Sequence, residues 1–218
     1  MRLVSGFWMR LHLGKKGLRV LGVAESFVRE KSDRAALAGV VMRTDGVIDG
    51  FSLGSCRVGG MDSTENIIRM FRDLGREDIN ALMLNGCVIS WFNVVDLNVL
   101  HESIGLPTTC VTYDASEGLK KYFEEYFPHD WERRYFVYQR NGARTRVKLR
   151  TGYPIFLRCF GMEVEEGLGL VNRFTVHGKI PEPIRLSKSL AHCFFRTFST
   201  ARWESHCLQN NKDGAQDA

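Results

Sequence analysis

I-N-A-L-M-L-N-G-C-V-I-S-W-F-N-V-V-D-L, residues 79–97, sets polar groups inside a segment that otherwise reads as core. Ala81 to Leu84 is a short apolar run of the kind a strand buried on both faces carries, and Asn85-Gly86 ends it. That end is the carboxyl edge, where open sheets keep their sites. Asn85, Asn93 and Asp96 recur among Trp91, Phe92, Val94 and Val95. A buried amide or carboxylate without a partner costs roughly 1–3 kcal/mol, so the three either close a hydrogen-bond network or hold a ligand.

Working outward, residues 18–23, 35–43 and 46–58 are rich in Leu, Val and other strand formers. Asp45-Gly46 supplies a hairpin-type turn between Val40-Val41-Met42 and Val47-Ile48, which predicts a three-strand antiparallel meander. After Gly59-Gly60, Ile67, Ile68, Phe71 and Leu74 recur at helical spacing up to Gly75, with Asp62 or Ser63 as cap. Strand 80–84, helix 94–103, strand 108–112 and helix 116–127 then alternate, as parallel strands with right-handed crossovers do. A β-β-β-α-β-α-β order predicts an α/β, ribonuclease H-like mixed sheet with flanking helices. A doubly wound, flavodoxin-like sheet is the alternative. Further on, Asp130 heads a helix ending at Asn141-Gly142, strands are predicted at 144–150 and 154–160, and a helix at 163–173. Pro183 suits the first turn of a final helix with Ile184, Leu190, Phe194 and Phe198 as its buried stripe. Residues 1–16 are expected to be an extension with little structure, residues 17–203 a single domain, and residues 204–218 a disordered tail.

A chain of 218 residues, 44% hydrophobic and 25% charged, has the composition of a globular domain large enough for a real core. No apolar run reaches the roughly 18 residues of a membrane span, and the charged start does not resemble a signal peptide. A cytoplasmic protein with no membrane partner is expected. The six cysteines form no C-x-x-C pair and read as reduced core residues rather than a zinc site. A formal charge of +5 allows a polyanionic partner without demanding one.

Five segments carry a resemblance: L-R-V-L-G-V-A-E-S-F at 18–27, L-A-G-V-V-M-R-T-D-G-V-I-D-G at 37–50, V-G-G-M-D-S-T at 58–64, L-N-G-C-V-I-S-W-F-N-V-V-D at 84–96, and G-K-I-P-E-P-I-R at 178–185. Together they resemble the archaeal-type family long called domain of unknown function 99, now endonuclease dU, which is similar to endonuclease V. The resemblance implies a ribonuclease H-like fold and metal-dependent cleavage of DNA near a deaminated base such as deoxyuridine. Magnesium or manganese is the implied cofactor, and uracil-containing DNA the implied partner. Such chemistry needs carboxylates. The resemblance offers Glu25, Asp62 and Asp96 as catalytic acids and metal ligands, with Asn85 and Asn93 assisting at the substrate. Where endonuclease V carries acids at the end of its first strand and before a glycine after its fourth, this chain has Ala24 and Asn85.

Each candidate also has a structural reading. Asp62 and Asp96 suit helix caps, Glu25 a solvated surface, and Arg185 either a phosphate contact or an ion pair with Glu182. Arg144, Arg146, Lys148 and Arg150 alternate with Thr145, Val147 and Leu149, so in an extended strand the four cations share a face. That face would meet phosphates, or would guard an edge strand against pairing. Arg133, Arg134 and Arg140 add charge upstream, and Trp131, Tyr135 and Tyr138 either stack bases or pack in the core. Two functional classes follow: a metal-dependent nuclease, or a nucleic-acid-binding protein of the same fold without catalysis. For a small-molecule enzyme, no phosphate-binding glycine motif speaks.

Overall fold

The computed structural model describes residues 11–29 and 32–197. β1 (Arg19–Ser26), β2 (Arg34–Arg43) and β3 (Ile48–Arg57) form the expected antiparallel meander. Its second turn closes where Arg43 N donates to Val47 O at 2.9 Å and Gly46 N to Arg43 O at 3.0 Å. α1 (Ser63–Asp73) then crosses to β4 (Ala81–Asn85), and α2 (Leu97–Ile104) to β7 (Thr108–Thr112), each new strand parallel to its predecessor in the sheet. Between β4 and α2 lies a small hairpin, β5 (Val88–Ile89) with β6 (Asn93–Val94). α3 (Lys120–Tyr126) and α4 (Trp131–Arg140) follow, then β8 (Thr145–Lys148), β9 (Pro154–Phe160), α5 (Val164–Phe174) and α6 (Glu182–Thr197). The sheet order is β3-β2-β1-β4-β7-β9-β8, with β9 antiparallel to both β7 and β8. This is the ribonuclease H-like mixed sheet. Antiparallel strands on both flanks exclude the flavodoxin-like alternative.

Strand alternation divides the core between two faces. Leu21, Val23, Leu82 and Leu84 pack with Ile67 and Met70 of α1 and Leu97 and Leu100 of α2. Val20, Ala81, Met83 and Val111 pack on the other face with Leu170 and Phe174 of α5 and Ile184 of α6. The seam between β1 and α6 is close: a Cβ on Gly22 would lie 2.6 Å from the Pro183 backbone, and Ser187 Oγ sits 2.7 Å from Gly22 O. The P-E-P-I-R segment is thus the docking end of α6, and the small residues beneath it bring that helix to the carboxyl end of β1.

Several boundaries differ from expectation for local reasons. Asn93 and Val94 pair with Ile89 and Val88, so the helix expected at 94–103 starts only after Asp96. The helix expected from Ser116 starts at Lys120, beyond Gly118 in a left-handed conformation. The buried face of α6 is Ile184, Ser187 and Ala191, with Phe198 outside the described residues. Residues 11–16 are not an idle extension, since Leu11 is buried in the second core and Leu13 packs against it. The tail at 204–218 lies outside the described residues.

Candidate active site

The register that sets Val23 opposite Leu84 makes Ala24 and Asn85 the next residues on two neighbouring strands. Beside them opens a cleft of about 580 Å³ lined by Glu25, Ser26, Asn85, Tyr113 and, from one face of α6, Arg185, Lys188, Ser189 and His192. Glu25 Oε2 is buried and has no hydrogen-bond partner, and neither has the Tyr113 hydroxyl. Burial pushes the Glu25 carboxyl above the ordinary carboxylate range, against the opposing pull of its own backbone amide, the Lys188 ammonium and the Ser90 backbone. Burial likewise raises the Tyr113 phenol. Two orphaned buried oxygens on residues that line the same cleft as three side chains that can be cationic make this cleft a candidate ligand site.

The other predicted acids are spent elsewhere. Asp62 does not cap α1 with its side chain; its carboxylate accepts from Arg57 N at 3.1 and 3.2 Å and from Asn93 Nδ2 at 2.8 Å. Asn93 is fully buried and fully satisfied, since Nδ2 also donates to Arg57 O at 2.9 Å and Oδ1 accepts from Ser63 N at 3.1 Å. Asp96 caps α2 by accepting from Val99 N at 3.2 Å, and its second oxygen pairs with Arg140. Among the described residues no group of three His, Cys, Asp or Glu side chains is placed to hold a metal ion. The expected convergence of Glu25, Asp62 and Asp96 is therefore corrected: Glu25 and Asn85 line one cleft, while Asp62 and Asp96 fasten the starts of two helices. The oxygen donors on the cleft wall are the Glu25 carboxylate, with its unsatisfied oxygen, the Asn85 amide and the Ser26 hydroxyl. One carboxylate suffices for a hard cation when water and a substrate phosphate complete the shell.

The cationic segments also divide. β8 is the sheet edge, and Arg146 and Lys148 are exposed on it. Arg144 instead donates to Thr112 Oγ1 at 3.2 Å and Asp114 O at 3.0 Å, and Arg150 to Asn172 O at 2.8 Å. Arg185 makes its ion pair with Glu182, with Nε at 2.9 Å, while still lining the cleft. Arg134, expected on a basic surface, is buried and clamps Gly59 O, Gly60 O and Phe92 O at 2.8, 2.9 and 3.0 Å. It pins Ser90, Trp91 and Phe92, three successive residues with φ of 45°, 61° and 57°. Side chains rarely adopt that conformation singly, let alone in a run. Tyr135 and Tyr138 pack against the buried Phe123, with ring centroids 6.4 and 6.0 Å away, which favours their core reading.

Lys188, His192 and Tyr113 were not among the residues the sequence nominated. Their signal was available only in part: Lys188 and His192 are four apart on a helix, but nothing local says which sheet edge that face meets.

A mixed sheet of this order, with a cleft at the carboxyl ends of its central parallel strands, defines a protein of the ribonuclease H-like fold. Solved structures agree on the fold: the chain superposes on human endonuclease V with a TM-score of 0.60 at 16% identity, covering 89% of this chain and 91% of that one. Endonuclease V from Ciona intestinalis, in complex with a 24mer DNA containing an inosine followed by a ribo-adenosine, gives 0.58 at 13% identity over 84% and 88%. A protein of unknown function from Archaeoglobus fulgidus gives 0.71 at 24% identity over 81% and 98%. The chain belongs to the endonuclease dU family, whose profile matches residues 16–195. A UPF0215 protein of Pyrobaculum calidifontis is 33% identical over 176 residues, covering 78% of this chain and 93% of that protein. That of Methanothermobacter thermautotrophicus is 32% identical over 183 residues, covering 81% and 87%.

Proposed function

We propose that this protein is a nuclease that cleaves DNA at deaminated bases such as deoxyuridine, with magnesium or manganese as cofactor and Glu25 as its acidic centre. The observation that carries the proposal is the buried, partnerless Glu25 oxygen in a cleft that α6 lines with Arg185, Lys188 and His192. Family membership and the endonuclease V fold support the reaction class. In this reading the Glu25 carboxylate would be the acidic ligand of the ion, with Asn85 and Ser26 offering further oxygens from the cleft wall, and the ion would supply positive charge to a phosphoryl oxygen. Lys188 and Arg185 bind the flanking phosphate, His192 gives a proton to the leaving oxygen, and Arg146 and Lys148 hold the duplex along the sheet edge. Asp62, Asn93 and Asp96 act as positioning residues that fix α1 and α2.

A second reading, a nucleic-acid-binding protein of the same fold without catalysis, is favoured by one observation: two of the three predicted acids are engaged in helix-end networks. Incubating the protein with a uracil-containing duplex, with and without magnesium, separates the two. Magnesium-dependent nicking at the uracil supports the nuclease; binding that leaves every phosphodiester intact selects the second reading.

A further inference from the structure

Arg158 of β9 is only 6% exposed, and among the described residues no carboxylate pairs with it. Its Nε donates to Gly142 O at 2.8 Å and Nη1 to Cys87 Sγ at 3.1 Å, and the guanidinium carbon lies 5.0 Å from the Tyr138 ring centroid. Among the described residues Nη2 has no hydrogen-bond partner. β8 runs antiparallel to β9 with Thr145 opposite Leu157, which makes Arg144 and Arg158 the next residues along the two strands. Arg144 is half-buried and donates to the neutral oxygens Thr112 Oγ1, Asp114 O and Ser116 O at 3.2, 3.0 and 3.4 Å. It too has no carboxylate partner among the described residues. Two cations side by side on neighbouring strands repel each other, and taking a guanidinium out of water with no acid beside it adds to the cost. Both arginines line a cavity of about 540 Å³, and the two of them with Ser116 and Tyr138 also wall an adjoining one of about 190 Å³. The exposed Glu117 lines the wider cavity and forms an ion pair with neither arginine.

We infer that Arg144 and Arg158 form a binding site for a phosphate monoester. Such a group carries about two negative charges near neutral pH and presents several acceptor oxygens, which suits a pair of guanidiniums whose planar forks grip phosphate oxygens. A phosphodiester carries a single charge and leaves one arginine unmatched. Ser116 and Tyr138 add hydroxyls to the same wall, and a cavity of this size has room for a sugar and base behind the phosphate. The monoester comes either from a free mononucleotide or from the phosphorylated end of a strand. Gly86 lines the smaller cavity and Asn85 the Glu25 cleft, so the two sites adjoin across one turn, yet the inference does not rest on nuclease activity.

The test is amide NMR of the full chain titrated with thymidine 5′-monophosphate at fixed ionic strength, with thymidine and the dinucleotide diester thymidylyl-thymidine as comparisons. We expect saturable shifts at the amides of Ser116, Gly118 and Gly142 with the monophosphate and none with thymidine. The diester should bind about tenfold or more weakly, and Arg144→Gln and Arg158→Met should each weaken the monophosphate by a similar factor, as expected for a lost charge-assisted contact. A tetranucleotide with a 5′-phosphate distinguishes the sources: shifts at the same amides assign the site to strand ends, and their absence assigns it to the mononucleotide. Monophosphate shifts confined to Ser26 and Ser189 of the Glu25 cleft would overturn the inference. So would a response that thymidine reproduces, a diester that binds as tightly, or an affinity that Arg144→Gln leaves unchanged. Should Arg158→Met fail to fold, the half-buried Arg144 and the ligand series decide the matter alone.

Discussion

Glu25 and Asn93 are both polar groups withdrawn from water, but one oxygen of Glu25 has no partner whereas every polar atom of Asn93 is engaged. The consequences for substitution are opposite. A carboxyl whose pKa is raised in the folded protein binds more protons folded than unfolded in the window above 4.5, so its stabilising share is present below that window and is lost as pH rises through the raised value. Glu25→Gln is therefore expected to raise Tm at pH 7 to 8, with the gain fading below pH 4.5; thermal melts across that range check it, and an unchanged Tm at neutral pH contradicts it. Asn93→Ala should instead cost about 2–4 kcal/mol in urea unfolding, because it leaves the Ser63 amide without its partner and takes one hydrogen bond each from Arg57 O and Asp62 Oδ1 at a fully buried position. The sequence presented Asn85, Asn93 and Asp96 as one set needing explanation, network or ligand. Spacing alone could not separate them, since it depends on Asn93 reaching the 57–63 turn and on Asp96 capping a helix that starts later than its apolar pattern suggests.

At the level of elements, the meander and the two crossovers were legible because turn residues and apolar runs are local signals, and the sheet order follows from them. The site was only partly legible because α6, far along the chain, must reach β1 before Lys188 and His192 face Glu25. The contact that brings it there is the Gly22–Pro183–Ser187 seam. Gly22→Ala places a Cβ against Pro183 backbone rather than a yielding side chain, so it should destabilise by about 1–3 kcal/mol. Measured in urea, a smaller loss would mean that α6 is held chiefly by other contacts. The same displacement should weaken any function of the cleft more than Arg146→Ala does, since that residue lies on the edge strand β8, four strands from β1 in the sheet order.

Over the whole molecule, charge is distributed so that Arg146 and Lys148 are exposed on the edge strand β8, whereas Arg144 and the likewise exposed Arg150 are held by neutral oxygens. The double variant Arg146→Ala/Lys148→Ala should reduce the log-salt slope of duplex binding by about 1.8, from roughly 0.9 per phosphate contact. A change near 3.6, seen only when Arg144 and Arg150 are also removed, would restore them to the binding face. We propose that one carboxylate, Glu25, carries the chemistry while Asp62 and Asp96 carry structure. The most direct measurement is the rate at which a uracil-containing duplex is nicked in magnesium by folded Glu25→Gln and Asp96→Asn proteins compared with wild type. A loss of about a hundredfold or more in Glu25→Gln, with Asp96→Asn keeping most of its activity in proportion to the protein that remains folded, is the predicted result. Activity that survives in Glu25→Gln but vanishes in a fully folded Asp96→Asn would contradict it.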